Sequence, residues 1–331
     1  MAGSHYDPES YRSYLRFSHD RHLLVEGSDD KRVFTLFLDE LHQVHSGIQF
    51  NVIVDSAEHL IDFGNIITNR EKVEAICLSV SDLPYAGRLV GFVDRDFREF
   101  DRAPLLQDRI GAHKVSGRLV WSRGHSIENY YFEFDILRSS LRTFSVTDKF
   151  CNALSLFEAV FEQAIRLACA ASLAGEELQQ LKLVKASVRQ EIFQLRNDTN
   201  VTVALDPAKW KENLTRYHRV SLDIAEKLTE RFQFWSERVD ESDFCAVRWM
   251  CHGHIGLAFI WAVYSRCVLE SCQQKGYSKQ EAAAEAQRVL KAEESVRFNA
   301  CAELWVRKAL GDHCSYPAEV FRLLDISIPV S

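Results

Sequence analysis

Arg88-Leu89-Val90-Gly91-Phe92-Val93 is an apolar run that Asp94-Arg95-Asp96 stops abruptly. A short apolar run with such a stop reads as a strand buried on both faces, the kind a parallel sheet needs. Working outward, His22-Leu23-Leu24-Val25 is a second strand running into Glu26-Gly27, and helical periodicity follows from Asp29 to His42. Phe50 to Val54 and Gly117 to Trp121 read as two further strands, and Arg70 to Val80 as another helix. Strands separated by helices imply βαβ units, hence an α/β fold with a mostly parallel sheet flanked by helices. Ligands and catalytic groups gather at the carboxyl ends of such strands. Glu26 and Asp94 stand there.

From about Phe150 the texture changes. Leu154 to Ala174, Glu176 to Arg196, Ser221 to Val239, Phe244 to Gln273 and Lys279 to Leu310 carry apolar residues at helical spacing. Gly175, Asn197 to Pro207 and Gly276 punctuate them, and Val201-Thr202-Val203-Ala204 is the one strand signal. The reading is an α/β core over 1–145 and a mainly helical domain over 146–331, serving substrate binding, dimerisation or partner docking.

The 331 residues are 47% hydrophobic and 26% charged, an ordinary globular composition. Lys and Arg total 40 against 47 Asp and Glu, a formal charge of −7. That excludes a uniformly basic nucleic-acid coat while leaving room for a local basic groove. Nine scattered cysteines without a Cys-x-x-Cys fit free thiols in a reducing compartment. The most apolar run, Ile255 to Tyr264, is short of the roughly 20 residues of a spanning helix. The chain starts polar, with no signal core, so a cytoplasmic protein is expected.

Three acidic positions follow strands or strand-like runs: Glu26, the pair Asp94 and Asp96, and Glu128 in Ser126-Ile127-Glu128-Asn129-Tyr130. A lone strand-end acid is more often a cap or a solvated loop residue, and Asp29 and Asp30 read as first-turn acids of the following helix. Three such sites in order argue for convergence. Converging carboxylates raise one another's pKa, a penalty that a divalent cation removes, and all-oxygen donors suit Mg²⁺ or Mn²⁺.

Val25-Glu26-Gly27 followed by Val93-Asp94-Arg95-Asp96 resembles the TOPRIM signature of topoisomerases, primases and OLD-type nucleases. With Ser126-Ile127-Glu128-Asn129-Tyr130 added, the chain resembles the TOPRIM-like effector family (AriB-type) of the PARIS anti-phage system, which carries VEGxDD, DxD and IENY motifs, the last on a strand. The resemblance covers about residues 14–135, and Gly253-His254 matches a further family pair. It implies metal-dependent phosphodiester chemistry: Glu26 as general acid/base or ligand, Asp94 and Asp96 holding Mg²⁺, and Glu128 completing the set. It also implies a toxic endoribonuclease that cuts transfer RNA, restrained by an ABC-type ATPase partner and assembling once released, with a homodimer as the expected active form. An OLD-like DNA nuclease and a non-catalytic binding subunit of an ATPase complex are the alternatives. Without Gly-Lys-Ser or Gly-Lys-Thr, the chain has no P-loop of its own.

Lys31, Arg95, Arg123 and His125 are the cations nearest these motifs and the candidates for touching a scissile phosphate. Further away, Lys182, Lys185, Arg189 and Arg196 are expected on one helical face. Lys209, Lys211, Arg216, His218 and Arg219 form a second basic stretch with Trp210 and Tyr217 interleaved. Aromatics among cations stack on unpaired bases, although each stretch alone reads first as a solvated face. Cys245, Cys251, His252 and His254 match no zinc spacing and read as packed side chains.

Overall fold

The computed structural model describes residues 5–44, 51–66, 68–144, 150–197, 200–311 and 314–326. In chain order the strands are β1 (Arg21–Val25), β2 (Val52–Ser56), β3 (Leu89–Val93), β4 (Phe100–Asp101), β5 (Gln107–Asp108), β6 (Lys114–Ser116), β7 (Leu119–Trp121), β8 (Phe193–Asn197) and β9 (Val201–Leu205). β3 is buried at every position and β1 at its last four, which is why both are apolar without alternation. Five strands form one sheet in the order β2-β1-β3-β7-β6. β2, β1, β3 and β7 run parallel, and β6 pairs antiparallel with β7 through a turn in which Gly117 takes a φ of 60°. The fold is α/β with a mostly parallel sheet, as expected. Phe50, the anticipated start of β2, lies outside the described residues.

Packing separates two units: Met1–Arg95, Ile110–Tyr130 and Ala302–Ser331 in the first, Asp96–Arg109 and Tyr131–Cys301 in the second. The expected boundary at 145/146 falls outside the described residues, and no single cut reproduces this division. In the first unit, α1 (Pro8–Phe17) starts where Asp7 accepts the Ser10 N–H at 2.8 Å. α2 (Ser28–Val44) follows β1, and Thr68 and Glu71 box the start of α3 (Asn69–Val80). α3 packs so closely on β3 that a Cβ at Gly91 would sit 2.5 Å from Cys77 Sγ. The chain end returns to this unit. Trp305 and Phe321 pack on Phe37 with ring centroids 5.2 and 5.0 Å apart, and Arg21 donates to the Leu324 carbonyl.

The second unit is mainly helical: α4 (Phe134–Phe144), α5 (Phe150–Glu177), α6 (Leu181–Ser187), α7 (Pro207–Tyr217), α8 (Leu222–Glu241), α9 (Phe244–Met250), α10 (Gly253–Gln274), α11 (Lys279–Lys291) and the start of α12 (Glu294–Leu310). α5 and α10 form its centre; the small buried residues Ala164, Ala168 and Ala171 of α5 permit close helix approach. The expected helix over 176–196 is not there. α5 runs through Gly175, where Val184 and Leu181 pack too tightly for a side chain, and it ends near Gln179 at a φ of 56°. α6 and β8 follow, and β8 pairs with β9, so Lys182, Lys185, Arg189 and Arg196 do not share a helical face. The two longest expected helices each break, at Cys251-His252 and at Ala292-Glu293. α10 is long and apolar enough to cross a membrane by length and composition, more than its ten-residue apolar run suggested. Its most apolar window is 78% buried inside the protein, the pattern of a core helix.

Candidate functional site

Four parallel strands end on one edge of the sheet, and an acid follows each: Glu58 after β2, Glu26 after β1, Asp94 after β3 and, one turn later, Glu128 after β7. Leu24 pairs with Gly91 and Phe92 with Val120, so the chain leaves neighbouring strands at nearly the same height. Glu26 Oε1 accepts the Asp94 N–H at 2.7 Å, tying the exits of β1 and β3 together. Gly27 donates its N–H to Asp30 Oδ2 at 3.2 Å. A Cβ on Gly27 would meet Glu58 Oε1 at 3.6 Å and Asp30 Oδ2 at 3.9 Å, an ordinary contact.

Asp30 is the residue that sequence reasoning missed. The residue is 7% exposed, and burial, then the negative charges of Glu26 and Glu128, hold its carboxyl well above the usual carboxylate range. A helix-start acid needs only solvent and the N-terminal dipole, whereas this one shares a low-dielectric neighbourhood with two further carboxylates. The signal was available: Asp30, Phe34, Phe37 and Leu41 fall on the buried face of α2 at helical spacing.

Glu128 lies in the 3₁₀ stretch Ile127–Tyr131, not on the strand that the family pattern implies. It is 3% exposed, and the Ser126 hydroxyl donates to its Oε2 at 2.6 Å. Asn129 Oδ1 accepts the Ser126 N–H at 2.8 Å. The Tyr130 hydroxyl accepts the Arg123 N–H at 3.1 Å and lies 2.6 Å from His113 Nε2. Burial raises that phenol above its ordinary range, so it stays protonated. The loop leaving β7 is thus held by its own hydrogen bonds, with Glu128 oriented inside it.

The expected cations divide. Arg95 is fully buried; its N–H donates to Ser122 Oγ at 3.0 Å and its guanidinium to the Arg123 carbonyl at 2.9 Å. It braces the exits of β3 and β7 with its side chain buried. Ser122, unremarked in the sequence, completes the brace by donating to the Gly124 carbonyl at 2.6 Å. His125 is also buried. Lys31, one turn into α2, and Arg123, which donates to Ser315 Oγ at 3.1 Å, keep partial exposure. Asp96 turns the chain with a φ of 53° and belongs by packing to the second unit, so the Asp94/Asp96 pair is split between units. Cys245 is exposed and Cys251 buried, its thiol pushed up to about 12 by desolvation, as a packed sulfur should be.

The donor set of Glu26, Asp30, Asp94 and Glu128 fits a hard divalent cation by its chemistry, and the repulsion felt at Asp30 is the imbalance that such an ion relieves. Among the described residues, no three acidic, His or Cys side chains form a ready-made ligand cage. No protein-family model matches the chain, and no curated protein matches it.

Proposed function

We propose that the first unit is a divalent-metal phosphodiesterase of TOPRIM-like type, acting on RNA, with transfer RNA as the favoured substrate and anti-phage toxicity as its role. One observation carries this reading: the gathering of Glu26, Asp94, Glu128 and the buried Asp30 at the carboxyl edge of one parallel sheet. Such an assembly costs stability, and proteins retain costly polar clusters where function requires them. The substrate and the biological role come from the motif resemblance.

In this reading Glu26, Asp30, Asp94 and Glu128 hold Mg²⁺ or Mn²⁺. When bound, the ion supplies charge stabilisation for phosphate oxygens and a more acidic water. The chain's own part is positional. Glu26 commits Oε1 to the Asp94 N–H, so the base and the Asp94 backbone move as one piece. Ser126 fixes the Glu128 carboxylate. Lys31 and Arg123 are the partly exposed cations for a scissile phosphate. An ABC-type ATPase subunit restrains the enzyme, and homodimerisation accompanies activity.

The test is cleavage of total RNA and supercoiled plasmid by the purified chain, with Mg²⁺, with EDTA and as Glu26→Gln. Discrete RNA fragments that need both metal and Glu26 support the ribonuclease. Plasmid nicking with the same requirements moves the assignment to the DNA-cutting relatives. Cleavage that survives Glu26→Gln would remove the catalytic reading.

A further inference from the structure

The second unit contains a cavity of about 700 Å³ that the nuclease reading leaves unused. Its volume lies within the range of small-molecule sites, roughly 300–1,000 Å³. Lys182, Lys185, Arg189, Lys291 and Arg297 line it, against two acids, Glu191 and Glu294. Glu294 is engaged with Lys185 at 2.7 Å. Lys182, Arg189 and Lys291 are exposed, and among the described residues none has an ion-pair partner. Three unneutralised cations at one concavity attract a ligand carrying negative charge.

The rest of the lining is apolar and aromatic, with Leu257, Trp261, Leu290 and Phe298 among it. Arg297 lies over the Trp261 ring, 5.4 Å from its centroid. The Trp261 indole N–H and the Arg297 Nε–H are buried and lack an acceptor. Buried donors in this state cost stability unless something accepts from them. The lining therefore asks for an anion with a flat apolar body and acceptor atoms. A fatty acid brings one charge and no further acceptors, whereas a nucleotide brings phosphate, ring and acceptors together.

A second observation extends the site beyond the cavity. Arg189 also lies over Tyr217, 5.5 Å from the ring centroid, and Arg216 lies 5.6 Å from the same centroid. Tyr217 is 61% exposed, so this ring is displayed between two guanidiniums and not packed away. Trp210, on the same helix, behaves oppositely: it is fully buried and donates to Ser187 Oγ at 2.7 Å. An exposed aromatic beside a cationic cavity is a stacking platform for a second base.

We infer that this face of the second unit is a nucleotide-binding site, the cavity taking phosphate with one base and Tyr217 the next base of a single strand. The shared ligand chemistry is the nucleotide phosphate, whether free or within a strand. The site lies wholly in the second unit and does not rest on the nuclease reading.

The experiment measures binding, in EDTA, of fluorescein-labelled U12 and dT12 by anisotropy and of AMP by competition. The wild type is compared with Lys182→Glu/Lys291→Glu, Tyr217→Ala and Trp261→Phe. The charge-reversed residues and Tyr217 are exposed, so melting curves should match the wild type. The double reversal is expected to weaken U12 binding by about tenfold or more, with a shallower salt dependence. Tyr217→Ala is expected to weaken it by about fivefold or more, and Trp261→Phe to weaken AMP competition. AMP competing as well as U12, unaffected by Tyr217→Ala, would identify a free nucleotide as the ligand of the same site. Failure of all three probes to bind at about 1 mM, or binding by the double reversal within twofold of wild type, would overturn the inference. Cleavage that needs Glu26 alongside either of those results would leave the nuclease standing and remove only this site.

Discussion

Both units bury polar groups, and the bonds that satisfy them differ in reach. In the helical unit some buried hydroxyls lean on their own helix, as Ser172 donates to the Ala168 carbonyl at 2.7 Å and Thr229 to the Ala225 carbonyl at 3.1 Å, while Ser265 reaches the Ala286 carbonyl of another helix at 2.7 Å. At the sheet edge the partners are distant in sequence: Glu26 with the Asp94 N–H, and the Arg95 N–H with Ser122. Local bonds of the first kind are close to interchangeable with an apolar side chain. Bonds of the second kind hold separate strand exits in one arrangement, and removing one partner strands the other. The contrast separates bonds that one helix makes to itself from bonds that hold separate segments together.

The largest effect that would sharpen this contrast is catalytic. Glu26→Gln keeps a carbonyl oxygen to accept the Asp94 N–H, so folding should persist while Mg²⁺-dependent cleavage falls by about 10³-fold, on the scale of losing one key electrostatic group. Gel-based cleavage beside a melting curve checks both; loss of activity together with unfolding would reduce Glu26 to a strut. Next is a packing effect in the helical unit. A Cβ at Gly256 would sit 2.2 Å from Phe132 Cζ, so Gly256→Ala should destabilise by about 1–3 kcal/mol through overpacking. Thermal unfolding reads this out, and an unchanged Tm would mean that Phe132 yields freely.

The two kinds of polar burial are compared directly by a pair of substitutions. Ser122→Ala leaves the Arg95 N–H and the Gly124 carbonyl without their hydroxyl and should cost about 1–3 kcal/mol. Thr229→Val loses bonds made only to its own helix and should cost under about 1 kcal/mol. Urea unfolding of both measures the difference, and equal costs would break the comparison. The smallest effect is opposite in sign. The native Asp30 carboxyl titrates well above its unfolded value, so between those two pH values the unfolded state is ionised while the native state favours the proton. Rising pH therefore favours unfolding through this group. Asp30→Asn should raise the Tm in EDTA at pH 8, about 2–4 °C for each kcal/mol recovered, and the gain should vanish near pH 4. A lower Tm for Asp30→Asn at pH 8 would show that the carboxylate is stabilising there.

Much of the sheet was legible because each parallel strand is a short apolar run ended by an acid or a turn, a pattern set by burial on both faces. The order of the acids along the chain was legible for the same reason. What was hidden depends on contacts between distant segments. Gly175 looked like a helix end, yet α5 runs through it and α6 packs there against the last turn of α5. β8 looked helical because Phe193 and Leu195 are too few to separate period two from period three, and only pairing with β9 decides it. Asp30 carried a signal that was read as a helix start, although its register with Phe34 and Phe37 placed it inside. Arg95 looked like a phosphate ligand because its neighbours are acidic, and its brace to Ser122 and Arg123 emerges only when β3 and β7 lie side by side.

The return of the chain end to the first unit has a consequence for the order of synthesis. Phe37 waits for Trp305 and Phe321, and Arg21 waits for the Leu324 carbonyl, so the unit carrying the acids is built from segments on both sides of the helical unit in sequence. The helical unit, closed by Cys301, has all of its chain before that. A nascent polypeptide therefore cannot complete the packing of its first unit until the whole helical unit has been made.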